Sequence, residues 1–183
     1  MCGFIGFSGN LDNKEAILQK MMDRIVHRGP DMGGMYTDDG IALGFRRLSI
    51  LDLSDAGAQP MANEDKSVVV VFNGEIYNFM ELRRELEAKG HTFHCGADTE
   101  VLIHGYEEYG TELIYRLRGM FAFVLWDRQK QAYVRRAGHF GIKRFTITPS
   151  RTARGWCSAA RSRPFSSIPN SSRPSTRMRC API

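Results

Sequence analysis

The chain has 183 residues, 43% of them hydrophobic, and a formal net charge of +5, which suits one compact domain with a real core. The charge is uneven: residues 1–143 hold 17 Lys+Arg against 20 Asp+Glu, whereas residues 144–183 hold eight Arg and neither Lys nor acid, so the basic excess belongs to a tail and argues against a nucleic-acid-binding domain. No run reaches the ~18 apolar residues of a membrane helix, and no signal core follows the N-terminus, so a soluble cytoplasmic protein is expected.

In chain order, "CGFIGFSG" (2–9) is short, apolar and rich in glycine, and predicts a strand. "NKEAILQKMMDRIVH" (13–27) sets Ile17, Met21 and Ile25 at helical spacing with Asn13 as its cap, and "HRGPDMGG" (27–34) breaks that helix. "IALGFRRLSILDL" (41–53) and "SVVVVFNGEIY" (67–77) predict strands, the second rich enough in β-branched residues to be buried on both faces. Helices are expected over 78–90, capped by Asn78, over 98–110, capped by Asp98, and over 111–118. Strands are expected over "HTFHC" (91–95) and "GMFAFVLWDRQ" (119–129). Strands, then helices, then strands, without a βαβ rhythm, point to α+β layering.

Beyond Lys143 the composition changes: the tail has eight Arg, eight Ser and no Asp, Glu or Lys. It reads as a disordered basic extension or as a shifted reading frame. Joining the last base of each codon to the first two of the next turns residues 159–183 into a sequence that begins Gly-Ser-Glu-Ile-Lys-Ala-Phe-Leu-Glu-His-Pro-Glu, an acidic, helix-like pattern. The expected domain is therefore 1–143, followed by a tail at 144–183.

The four cysteines, Cys2, Cys95, Cys157 and Cys180, show neither zinc spacing nor a disulfide framework. Cys2 stands apart because removal of Met1 would leave it with a free α-amine. That amine has an ordinary pKa of about 8 and can take the thiol proton near neutral pH. One residue would then be nucleophile and base together. "NGE" (73–75) closes a buried strand, where the Asn73 amide and the Gly74 N–H can receive a developing oxyanion. A glutamine substrate would further need a carboxylate such as Asp98 and a cation such as Arg47, although either can equally be a cap or a surface ion pair. His27, His91, His94, His104 and His139 show no metal-ligand spacing and read as structural; no metal is expected.

Seven stretches, "MCGFIGF", "HRGPD" (27–31), "RRLSILDL" (46–53), "AQPM" (58–61), "FNGEIYN" (72–78), "DTEV" (98–101) and "GMFAFVLWD" (119–127), together resemble the N-terminal glutaminase domain of glutamine-hydrolysing asparagine synthetases. The resemblance implies an N-terminal-nucleophile hydrolase fold, a four-layer αββα sandwich, here incomplete at its C-terminal end. It implies that Cys2 attacks glutamine, that Asn73 and Gly74 form the oxyanion hole, and that Arg47, Ile50, Leu51, Asn73, Gly74, Glu75 and Asp98 hold the substrate. Arg28 and Gly29 lie in a loop that the family keeps near the site. The ammonia would serve asparagine synthesis in a second domain using ATP and magnesium. No Ser-Gly-Gly-Leu-Asp-Ser loop is present for that domain, so no cofactor is expected here. The full-length family further implies a homodimer. The alternatives are the glutaminase domain of another class II amidotransferase, or an inactive truncated product. "AYVRRAG" (132–138) and "RFTIT" (144–148) depart from the family pattern, as small insertions or deletions in the gene would leave it.

Overall fold

The computed structural model describes residues 2–48, 57–149, 154–158 and 176–177. In chain order the regular elements are β1 (Gly3–Ser8), α1 (Lys14–Asp23), β2 (Met32–Asp38), β3 (Ile41–Arg47), β4 (Met61–Ala62), β5 (Val68–Ile76), α2 (Phe79–Ala88), α3 (Glu100–Tyr109), β6 (Gly119–Asp127), β7 (Ala132–Ala137), β8 (Thr146–Pro149), β9 (Arg154–Ser158) and β10 (Thr176–Arg177). They form a six-stranded sheet in the order β10-β8-β9-β1-β3-β2 and a four-stranded sheet in the order β4-β5-β6-β7. All neighbours are antiparallel.

The two-residue period of a strand sends alternate side chains to opposite faces, and here both faces of the central strands are covered. On β5, Val69 and Val71 pack between the sheets with Phe4, Leu43, Val124 and Trp156. Val68, Val70 and Phe72 turn the other way, onto Leu86 of α2 and Leu102, Ile103 and Tyr106 of α3. On β1, Ile5 and Phe7 face Leu18, Met21 and Met22 of α1, while Phe4 faces the opposite sheet. The layers therefore run α1, larger sheet, smaller sheet, α2 with α3: the expected αββα sandwich. Three apolar layers instead of one explain why β5 and β6 read as nearly unbroken hydrophobic runs.

Several expectations are corrected. The 91–95 segment is not a strand, because Glu100 accepts its backbone donors, His94 N–H at 2.8 Å and Cys95 N–H at 3.0 Å, in place of a neighbouring strand. Residues Gly110–Tyr115 form a 3₁₀ helix. The three expected caps do not form: Asn13 is left-handed at φ 59° without a side-chain cap bond. Asn78 instead clamps the chain before β6, donating to Arg116 O and accepting from Arg118 N–H, both at 2.9 Å. At α3 the N-cap is Thr99. β2 and β7 are additional strands, flanking β3 and β6. Beyond Lys143, β9 pairs along β1 from Phe4↔Ser158 to Ser8↔Arg154, so this edge of β1 is covered.

Candidate active site

Cys2 leads directly into β1 and packs, half-buried, against the apolar layer between the sheets. Because Gly3 pairs with Arg46, Cys2 lies beside the end of β3, where the Leu48 N–H meets its Sγ at 3.4 Å and the Leu48 carbonyl is 3.8 Å away. The backbone at Leu48 thus fixes where the sulfur sits.

The "HRGPD" loop braces this corner. Arg28 donates from Nη2 to the Cys2 carbonyl at 3.2 Å, and Asp31 N–H donates to Arg47 O at 3.2 Å. A Cβ on Gly29 would come within 2.5 Å of the Arg46 carbonyl oxygen, so only glycine lets the loop lie against β3. Arg28 and Gly29 therefore act on the backbone that holds Cys2 and Arg47. The Arg28 Nε is buried with no acceptor among the described residues.

The decisive backbone geometry lies on β5. In an antiparallel ladder, N–H groups point alternately to the partner and away from it. The pairing is set at both ends, by Tyr77 N–H to Arg118 O at 2.7 Å and Arg128 N–H to Ser67 O at 2.8 Å. Odd-numbered residues of β5 therefore bond to β6, and the N–H groups of Phe72, Gly74 and Ile76 point away from it. Two of these three are met by side chains: Phe72 N–H by Gln59 Oε1 at 2.6 Å and Ile76 N–H by Asp98 Oδ2 at 2.9 Å. Between them the Gly74 N–H meets no acceptor among the described residues. Asn73 shares the face of Val69 and Val71 and is buried, 5% exposed. It thus lies in the inter-sheet layer that Cys2 also packs against. Gly74 must be glycine, since a Cβ would run into the Met120 carbonyl oxygen and stand 2.5 Å from Phe121 Cα.

Arg47 and Ala97, the residue before Asp98, flank Gly57. A Cβ on Gly57 would sit 3.5 Å from Arg47 Nη2 and 4.0 Å from Ala97 Cβ, so the guanidinium and the residue preceding Asp98 approach the same point. Burial, joined by the nearby Glu75 charge and opposed by the Ile76 N–H, pushes the Asp98 carboxyl up to about 6. Glu75 itself is exposed. A cation beside these carboxyls would favour their charged forms. Ile50 and Leu51 lie outside the described residues.

Gln59 is the residue that reading the sequence missed. It is buried at 9% exposure, accepts from Phe72 and donates from Nε2 to Thr99 Oγ1 at 3.3 Å. It ties β5 to the start of α3 and so sets the spacing between Gly74 and Asp98. Its only signal was a place in "AQPM", and nothing local marks a buried glutamine.

The profile of the glutamine amidotransferase domain matches residues 1–162. This chain belongs to that family. Over 148 residues it is 45% identical to asparagine synthetase [glutamine-hydrolyzing] 1 of Bacillus subtilis, covering 78% of this chain and 23% of that protein. It is 43% identical over 145 residues to asparagine synthetase [glutamine-hydrolyzing] 2 of Arabidopsis thaliana, covering 78% and 25%. The domain thus spans about a quarter of the length of these relatives. Among solved structures, the glutamine phosphoribosylpyrophosphate amidotransferase of B. subtilis superposes with a TM-score of 0.77 at 19% identity, covering 93% of this chain and 44% of that one. The allosteric regulatory enzyme of purine biosynthesis superposes with a TM-score of 0.79 at 20% identity, covering 94% and 45%. The sandwich is the N-terminal-nucleophile hydrolase fold. No described helix is long and apolar enough to cross a membrane.

Proposed function

We propose that this amidotransferase domain hydrolyses glutamine to glutamate and ammonia through a thioester on Cys2. Once Met1 is removed, the α-amine of Cys2 takes the thiol proton and the sulfur attacks the side-chain carbonyl carbon. The carbonyl oxygen becomes an oxyanion, received by the Gly74 N–H and the Asn73 amide. The protonated amine returns its proton to the leaving nitrogen, ammonia departs, and water then cleaves the thioester to regenerate the thiol. Asp98 and Glu75 hold the substrate ammonium, Arg47 holds its α-carboxylate, and Ile50 and Leu51 contribute backbone contacts. Arg28 and Gly29 position the nucleophile. The reaction needs no metal or cofactor.

The observation that carries this reading is the Gly74 N–H, aimed off the ladder between two donors that are already met. Gly74 is half-buried, so its N–H is open to an oxygen brought by a ligand. A diazoketone analogue of glutamine, which alkylates an activated thiol, tests the reading: peptide mapping should find one label, on a Cys2 that has lost Met1. A label on Cys95 or Cys157 instead would reject it.

By likeness to its relatives, the ammonia feeds an ATP- and magnesium-dependent asparagine-forming domain in a cytoplasmic homodimer. The competing reading is a catalytically silent product. It is favoured by Thr148 Oγ1 and Trp156 Nε1, both buried without partners among the described residues and both in strands beyond Lys143. We ascribe that mismatch to a shifted reading frame in the tail.

A further inference from the structure

Apart from the Cys2 corner, the densest group of ligand-type side chains lies on the outer helical layer, where His91, His104 and Glu107 bring three donor atoms within 4.8 Å of one another. They come from two segments: His91 follows α2, whereas His104 and Glu107 lie one turn apart on α3. His104 is 2% exposed, with its ring edge-on to Phe93, centroids 4.7 Å apart. Its Nδ1 is 2.9 Å from Glu107 Oε2, and His91 Nδ1 is 3.5 Å from the same oxygen. Tetrahedral zinc, with bonds near 2.1 Å, sets its ligand atoms about 3.4 Å apart; the His91–Glu107 separation is close to that, and the His104–Glu107 pair, now at hydrogen-bond distance, would open slightly to admit the ion.

The outer contacts are the second observation. Each group has its far atom held by a different residue: His104 Nε2 faces Glu100 Oε1 at 3.8 Å, His91 Nε2 faces Glu108 Oε2 at 3.3 Å, and Glu107 Oε1 accepts from Asn63 Nδ2 at 2.7 Å. The orientation of the Asn63 amide follows from its other partners, since its Oδ1 accepts from Val68 N–H at 2.9 Å and its Nδ2 donates to Ser67 Oγ at 2.9 Å. Because a carboxylate oxygen only accepts, His104 Nδ1–H donates to Glu107 Oε2 in the metal-free chain; a divalent cation would displace that proton, leaving each imidazole with its Nε2–H on the side of a carboxylate. That is the tautomer in which histidine binds a metal, with a carboxylate behind it.

We propose that His91 Nδ1, His104 Nδ1 and Glu107 Oε2 form a binding site for a zinc-like divalent transition metal, with water in the fourth position. Glu107 is exposed and His91 half-buried, so an ion reaches the site from solvent. Once bound, it fastens the segment after α2 to α3, and thereby the stretch that leads to Asp98.

The test is calorimetric titration of the chelator-stripped full chain with zinc, together with cobalt(II) absorption spectra. The expected result is one ion per chain, with affinity lowered at least ~10-fold in both His91→Ala and Glu107→Gln. Cys2→Ala and Cys95→Ser should bind as the unaltered chain does, and the cobalt spectrum should lack a thiolate charge-transfer band. Circular dichroism checks that each variant is folded, and Glu107→Gln, a conservative change at an exposed position, guards against loss of fold. No saturable binding, unchanged affinity in both variants, or a thiolate band would overturn the proposal.

Discussion

Asp98 Oδ2 accepts the Ile76 N–H at 2.9 Å, placing a carboxyl raised to about 6 against the strand that carries Asn73 and Gly74. Its ordinary value is 3.8, so between about pH 4 and 6 the folded chain keeps a proton the unfolded chain has lost. Stability then falls as pH rises through this window and stays lowered above it. Asp98→Asn keeps an acceptor for Ile76 and removes the charge. It should therefore be more stable at pH 7, by up to about 3 kcal/mol at ~1.4 kcal/mol per pKa unit, with little gain at pH 4. Urea melts at the two pH values measure this, and a variant less stable at pH 7 would contradict the burial argument.

The same substitution should damage function. Without the negative charge the substrate ammonium loses its partner, so KM for glutamine should rise by at least ~10-fold, the factor that ~1.4 kcal/mol of charge-assisted bonding represents. In the unaltered domain kcat/KM should fall as pH drops below about 6, where Asp98 takes up its proton. A flat profile from pH 5 to 7 would remove Asp98 from the substrate site.

Gln59 carries a stability prediction. Gln59→Ala leaves the buried Phe72 N–H without its acceptor and cuts the tie to Thr99, which should cost about 1–3 kcal/mol. KM should rise as well, because Asp98 is no longer held at its spacing from Gly74. A loss well under 0.5 kcal/mol by denaturant titration would show that water replaces the amide at no cost.

Much of the sandwich was legible because burial on both faces writes itself into sequence: "VVVVF" and "FAFVLW" have no polar face, and β5, β6 and α2 fell where their patterns placed them. Positions decided by side-chain acceptors were not legible. Nothing in "HTFHC" says that Glu100, five residues past Cys95, takes up the backbone donors a strand would use. β2 was hidden by Gly33 and Gly34; a Cβ on Gly34 would run into the Gln59 carbonyl oxygen. At the site, Cys2, Asn73, Gly74, Arg47 and Asp98 could be named from residue chemistry and resemblance. Gln59 and the His91, His104 and Glu107 group could not, because their roles exist only after α3 docks on β5.

The tail makes its own prediction. Trp156 and Thr148 leave buried donors unmet among the described residues, each costing about 1–3 kcal/mol, so a chain carrying the re-read Gly-Ser-Glu-Ile-Lys segment should melt higher than the present one. Sequencing the gene across the codons for residues 129–150 should show the shift. A clean read of the present sequence, with no gain in melting temperature on re-reading, would reject it.

Glutamate release from glutamine, measured for the purified domain beside Cys2→Ala and Asn73→Ala, tests the central claim most directly. The unaltered domain should turn over, Cys2→Ala should release nothing above the uncatalysed rate, and Asn73→Ala should lose about 100-fold or more in kcat. Equal rates for the unaltered domain and Cys2→Ala would contradict the account.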